Sequence, residues 1–352
     1  MKRKFTAILL SLSAIIQVFT VTLTAGNAPT VSAESAVLIE ADSKDVIFAK
    51  NHLQKMPMAS TTKIMTALVV LDTLPTDHVF TVADRAVGTE GSSAYLKKGD
   101  TMSVRSALFA LLLQSANDVA VALALEVSDS IEGFASLMNE KAASLGLKDT
   151  SFKNPSGLPD EGHYTTAYDF AILASYAMEN ETFYSIVSAK SATVKIGGND
   201  RTFVNHNRLL SLYDGAVGVK TGFTKESGRC LVGACEQDGV RLITVTLNAS
   251  DDWNDHCRMF DLGLSKYRSV CLCTKKDFII ELPVAGADGC ITASPKEDKY
   301  ITLPKNSKIT VSIEAKGLLM SPVTIGSIIA TAIFRTEDKV IAKVPLFATA
   351  DI

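Results

Sequence analysis

The chain has no surplus of positive charge: 35 Lys and Arg stand against 38 Asp and Glu, a net charge of −3. Without a basic excess it has nothing with which to track a phosphate backbone, which excludes nucleic acid as a partner. Glycine and proline stay at ordinary levels, 21 and 10 of 352 residues, so a collagen-like or low-complexity chain is excluded. Histidine is scarce, at five, and no Gly-x-Ser-x-Gly elbow surrounds a serine, which removes a Ser-His-Asp hydrolase. No Cys-x-x-Cys pair and no Cys/His cluster occurs, so no metal site or metal cofactor is expected. What is present, 47% hydrophobic and 21% charged residues, suffices to bury a core and rules out a mainly disordered chain.

Six cysteines could form disulfides, but their spacing argues otherwise. Cys230 and Cys235 lie five apart in an expected strand, which sets them on opposite faces about 16 Å apart. A bridge needs alpha carbons within about 7 Å. Cys271 and Cys273 are equally ill placed if extended, and Cys257 and Cys290 carry no pattern. The cysteines are expected to be small packing residues.

The first residues read as an export signal. Lys2, Arg3 and Lys4 precede an apolar stretch from Phe5 to about Leu23, and Val31-Ser32-Ala33 offers small residues for cleavage. Ser11, Ser13, Gln17, Thr20 and Thr22 interrupt the stretch and no basic stop-transfer cluster follows, which favours removal over a retained anchor. No later run reaches the ~18 apolar residues of a spanning helix. The expected mature protein, residues 34–352, is therefore secreted, soluble outside the cytoplasm, in the cell wall or periplasmic space.

At about 150 residues per domain, two domains are expected. Ala36–Glu40, a turn at Asp42-Ser-Lys44, and Val46–Ala49 form a hairpin pattern. Ser60–Leu71 is apolar almost all round, the mark of a buried helix. Ser103–Val127 is a second helical stretch, and a third runs from Thr166 to Ala177. From Gly215 the period turns extended: Val217–Thr221, Arg229–Cys235 and Val240–Leu247 make an antiparallel meander, followed by a helix over Asn254–Tyr267. Strands at both ends with helices between them predict an α+β domain over residues 34–274 whose sheet is closed by distant segments. Short extended runs at Phe278–Leu282, Lys308–Ile313, Ile328–Phe334 and Val340–Leu346, with a turn at Thr336-Glu-Asp338, predict a small β domain over residues 275–352.

Three patterns carry chemistry, each found once and in this order: Ser60-Thr-Thr-Lys63, Ser115-Ala-Asn117 and Lys220-Thr-Gly222. A serine three residues before a lysine on a helix shares its face. The positive end of the helix dipole favours a developing alkoxide at Ser60. Apolar surroundings lower the pKa of Lys63 toward that of a general base. Ser115 can relay a proton and Asn117 can position a substrate amide or the lysine. Gly222, lacking a side chain, lets an extended peptide approach the strand edge. Lys220 and Thr221 can offer charge and a hydroxyl to a substrate carboxylate. Each motif alone has an ordinary structural reading: a helix cap with a snorkelling lysine, a helix break, a strand end.

Taken together they resemble the serine-type D-alanyl-D-alanine carboxypeptidases, the low-molecular-mass penicillin-binding proteins. Met58–Leu68 is similar to that family's nucleophile helix, and Gly215–Thr224 to its substrate strand. Asn117–Leu123, Asn154-Pro-Ser-Gly-Leu158 and Thr165–Asp169 resemble its intervening signatures. The likeness covers about Ser35 to Tyr267, and the tail resembles the small β domain of many members. It implies a penicillin-binding/β-lactamase-like transpeptidase fold, no organic cofactor, and a peptidoglycan stem peptide ending in D-Ala-D-Ala as substrate, with β-lactams as inhibitors. Ser60 would attack, with Lys63 and Ser115 as catalytic partners. Asn117, Lys220, Thr221, Gly222 and Phe223 would bind substrate, the amides of Ser60 and Phe223 forming the oxyanion hole.

Two departures stand out. Several relatives carry an arginine shortly after the meander that holds the terminal carboxylate, where this chain has Asp251-Asp-Trp-Asn-Asp-His256. Many also end in an amphipathic helix, for which Pro345–Ile352 is too short. A class A β-lactamase shares all three motifs but needs a Glu followed four residues later by Asn for deacylation; Glu161 is followed by Thr165. A non-catalytic penicillin sensor is the remaining rival, and the complete motif set argues against it.

Overall fold

The computed structural model describes residues 29–352, apart from residues 288 and 338. The basic start and apolar stretch expected of an export signal lie outside the described residues.

The N-terminal part holds strands β1 (Ser35–Glu40) and β2 (Val46–Lys50), helix α1 (Lys63–Thr73), and the short pair β3 (Val79–Thr81) and β4 (Thr101–Ser103). Helices α2 (Val104–Leu113), α3 (Asn117–Val127), α4 (Ile131–Ser144), α5 (Ala167–Ala177) and α6 (Glu181–Val187) follow. Then come the hairpin β5 (Ser191–Ile196) and β6 (Asn199–Val204), and a single turn α7 (Leu209–Leu212). The meander β7 (Ala216–Thr224), β8 (Gly228–Gln237) and β9 (Val240–Leu247) leads into α8 (Asp252–Lys266).

As expected of an α+β domain, distant segments close the sheet. Its antiparallel order is β2-β1-β9-β8-β7, with Ser35 opposite Leu247 and Glu40 opposite Leu242. Joining strands so far apart in sequence carries a loop-closure cost. Burial of β1 on both faces offsets it. Ala36 and Leu38 pack with Met259 and Phe260 of α8, while Val37 and Ile39 face the helical core around α1, α2 and α3. A strand covered on both sides needs apolar residues at every position, and Ala-Val-Leu-Ile supplies them. The helix α1 is buried from Lys63 to Val70, as its all-round apolar sequence predicts.

The second expected helix is in fact two. The chain leaves α2 at Leu113 and starts α3 at Asn117, with Ser115 at φ +62° between them. The polar side chains there mark the break.

The tail is all β: β10 (Tyr267–Cys273), β11 (Ile280–Pro283), β12 (Cys290–Ser294), β13 (Lys299–Pro304), β14 (Ile309–Ala315), β15 (Ile328–Thr336) and β16 (Lys339–Ala348). A sheet of order β11-β12-β16-β15-β14 encloses Ala293, Ala332, Phe334 and Leu346, and β10 pairs with β13. Because β10 leaves α8 directly and pairs within the tail, the tail's strand pairing begins at Tyr267, ahead of the expected boundary at residue 275. Strands β10, β12 and β13 are additions to the expected set.

Residues 31–33 are packed against the domain. Val31 and Ala33 are buried, and Lys50 Nζ donates to their carbonyl oxygens at 3.0 and 2.6 Å. The backbone N–H groups of Ser32 and Ala33 and the Ser32 hydroxyl all donate to the buried Asp255 carboxylate of α8. The expected leader boundary after Ala33 thus falls inside a packed segment. All six cysteines are free; Cys230, Cys235 and Cys273 are buried and Cys257 packs against the α8 core, but Cys271 and Cys290 are exposed, which corrects the expectation that all are packing residues.

Candidate active site

The nucleophile motif begins in a tight 3-10 turn, Ala59–Thr62, entered through Ala59 at φ +48°. In such a turn residues three apart eclipse. Ser60 therefore sits over Lys63, the first residue of α1, with Nζ 2.9 Å from Oγ. Lys63 is 0% exposed, and its Nζ also reaches Asn117 Oδ1 at 2.7 Å and the Ser156 carbonyl at 2.6 Å. Burial, then the nearby Lys220 charge, hold its pKa well below the ordinary lysine value. A neutral amine has two N–H groups and one lone pair. Asn117 Oδ1 and the Ser156 oxygen can only accept, so they take both hydrogens, and the lone pair is left for the Ser60 hydroxyl. That is the arrangement a general base needs.

The Asn154-Pro-Ser-Gly157 loop presents the Ser156 carbonyl. Asn154 Oδ1 accepts from the backbone of Ser156 and Gly157 and from the Ser156 hydroxyl, which winds the loop tightly. Gly157 has φ +85°, and a Cβ there would overlap the Ala59 carbonyl, so only glycine lets the loop reach the nucleophile turn. Behind it, His163 accepts at Nδ1 from Lys153 N–H and contacts Thr62 Oγ1 through Nε2 at 2.8 Å. Burial lowers its pKa to about 4, so it is neutral and its Nε2–H donates to Thr62.

Asn117 is oriented by two partners: its Oδ1 faces Lys63 and its Nδ2 donates to the Glu90 carbonyl at 2.6 Å. Ser115 is buried, and its Oγ has no partner among the described residues. It borders, with Ser60 and Thr221, a cavity of about 440 Å³.

The opposite wall is β7, the free edge of the sheet. A Cβ on Gly222 would stand 3.0 Å from Ser60 N, so the missing side chain brings the strand against the nucleophile turn. Thr221, Gly222 and Phe223 line the cavity, Phe223 largely exposed. Lys220 does not: it is buried, its Nζ donates to the Thr221 carbonyl at 2.9 Å, and burial draws its pKa down to about 7.

Ser60, Lys63 and Asn117 are thus directly bonded, and Ser115, Thr221, Gly222 and Phe223 share one cavity. Ser92, His206, Arg229, Asp252 and Trp253 complete its wall. None of these five follows from a motif: strand register brings Arg229, the start of α8 brings Asp252 and Trp253, and Ser92 and His206 come from loops. Among the described residues, no group of His, Cys, Asp and Glu is placed to hold a metal ion.

A serine–lysine pair beside a sheet edge, in an α+β domain with a separate β domain, defines an active-site-serine hydrolase. Residues 22–251 match the family of D-alanyl-D-alanine carboxypeptidases, and residues 267–352 match the C-terminal domain of penicillin-binding protein 5. The chain is similar to D-alanyl-D-alanine carboxypeptidase DacF of Bacillus subtilis, 33% identical over 91% of this chain and 86% of that one. It is also similar to DacC of Escherichia coli, 31% identical over 93% of this chain and 86% of that one. Among solved structures, penicillin-binding protein 5 from Haemophilus influenzae superposes with a TM-score of 0.70 at 26% identity, covering 92% of this chain and 98% of that one. The chain belongs to the serine-type D-alanyl-D-alanine carboxypeptidase family.

Proposed function

We propose that this protein is exported and removes the terminal D-alanine from peptidoglycan stem pentapeptides through an acyl-enzyme on Ser60. Lys63 takes the Ser60 proton as Oγ bonds to the penultimate carbonyl carbon. The amides of Ser60 and Phe223 hold the oxyanion, donors worth about 3–4 kcal/mol each. As the tetrahedral species collapses, the C–N bond breaks and the amine of D-alanine leaves with a proton passed through the Ser115 hydroxyl. Water then attacks the ester, and Ser60 regains its proton. Asn117 and the β7 edge, with Thr221 and Gly222, hold the peptide extended. A β-lactam would enter the same path, but its ring nitrogen stays tethered after opening and delays the water.

The observation that carries this reading is the buried Lys63 amine 2.9 Å from Ser60 Oγ with both N–H groups committed elsewhere. The test is mass spectrometry of the protein with a peptide ending in D-Ala-D-Ala and, separately, with penicillin. Released D-alanine and a penicillin adduct on wild type, both absent from a folded Ser60→Ala variant, are expected. An adduct on the Ala variant would overturn the nucleophile assignment.

A further inference from the structure

A carboxypeptidase must tell a chain end bearing a carboxylate from the same bond in mid-chain. Lys220, expected to face that carboxylate, is 1% exposed and holds the Thr221 carbonyl. Its lowered pKa leaves it partly neutral near pH 7. Among the described residues, Arg229 is the one lysine or arginine that lines the cavity.

Arg229 lies in β8 directly opposite Phe223, so its side chain leaves the sheet on the same face as Phe223 and Thr221. Its Nε and Nη2 donate to Asp252 Oδ1 at 3.0 and 2.7 Å, and its guanidinium lies 5.6 Å from the Trp253 ring centre. Asp252 is buried at the first residue of α8, whereas the Arg229 side chain keeps 44% of its surface exposed. The head group is therefore held from two sides while Nη1 has no protein partner among the described residues. A fork of donors fixed in advance loses little freedom on binding.

The geometry points to Arg229 as the residue that reads the free C-terminal carboxylate of the peptide, beside the Thr221 hydroxyl; this rests on the D-Ala-D-Ala reading above. Arg229 supplies from strand β8 the positive charge that the segment Asp251–His256 does not. Lys220 then acts inward, its amine holding the Thr221 carbonyl of the substrate strand.

The test compares kcat/KM for release of the last residue from a D-Ala-D-Ala peptide and from the same peptide with an amidated terminus. Wild type is expected to favour the free acid by on the order of ten- to a hundredfold. Arg229→Gln brings that ratio toward one, chiefly through KM, and Arg229→Lys restores part of it. Asp252→Asn, which loosens the guanidinium, lowers the same ratio. Melting curves establish that each variant is folded. A wild-type ratio retained in folded Arg229→Gln or Asp252→Asn, or no preference in wild type, overturns the assignment. A wild-type protein that releases nothing from either peptide instead refutes the underlying reading of the substrate.

Discussion

Replacing Lys220 by Met should make the protein more stable at neutral pH while removing its activity. Lys220 is fully buried and its pKa falls from 10.5 to about 7. Between those values the unfolded chain binds a proton that the folded chain does not, so stability rises with pH across the window. The slope is about 1.4 kcal/mol per pH unit. At pH 7.5 the wild type therefore carries a penalty of about 4 kcal/mol for burying this amine. Met fills a similar volume without it, but leaves the Thr221 carbonyl without its donor, which costs about 1–3 kcal/mol. The net expectation is a gain of about 1–3 kcal/mol at pH 7.5, or roughly 2–10 °C in melting temperature. Raising the pH to 9.5 returns about 2–3 kcal/mol to the wild type only, so the two melting curves should converge. Thermal unfolding of both proteins at the two pH values measures this directly. A variant that melts below wild type at pH 7.5, or a difference that does not change with pH, would refute the reasoning.

Lys63→Arg should lower acylation by penicillin on the order of 10²–10⁴-fold, because a guanidinium cannot give up its proton at working pH. Near-normal stopped-flow labelling of that variant would reduce Lys63 to a mere positive charge. Gly222→Ala should push β7 a few tenths of an ångström from Ser60 N, now 3.0 Å from the position of the added Cβ. Turnover should then fall about tenfold or more at little cost in stability, and unchanged steady-state kinetics would contradict it. If the protein is processed on export as proposed, mass spectrometry of its first peptide should find Val31–Ala33 still attached, since their loss strips donors from the fully buried Asp255. A mature chain starting at Glu34 would contradict that.

The parts of the molecule legible in the sequence are those where one local period or one short spacing decides the outcome. The alternation in Val240–Leu247 and the all-round apolar α1 are of this kind, as is the three-residue step from Ser60 to Lys63. In hairpin β5–β6, β5 alternates cleanly over six residues, but its partner β6 is largely exposed with polar residues on both faces, so the pair as a whole carries little pattern. Arg229 escaped for a different reason. Its place at the cavity depends on the Phe223–Arg229 register and on where α8 begins, which no spacing along the chain encodes. The Ser156 carbonyl is a backbone atom, and its use by Lys63 rests on Gly157 being able to touch Ala59.

The pairing of β1 with β9 also orders events in time. The ribosome makes β1 first, an apolar ribbon whose inner partner, from Leu242 to Leu247, follows some two hundred residues later. At ordinary synthesis rates that interval is roughly 10–40 s. Until it ends, β1 has only β2 beside it, and its other edge is open to any neighbouring chain. The nucleophile turn waits as well, because β7, which completes its pocket, belongs to the same late meander. A nascent chain therefore has no assembled hydrolytic centre, and truncation anywhere before β9 leaves an adhesive strand in place of a slow enzyme.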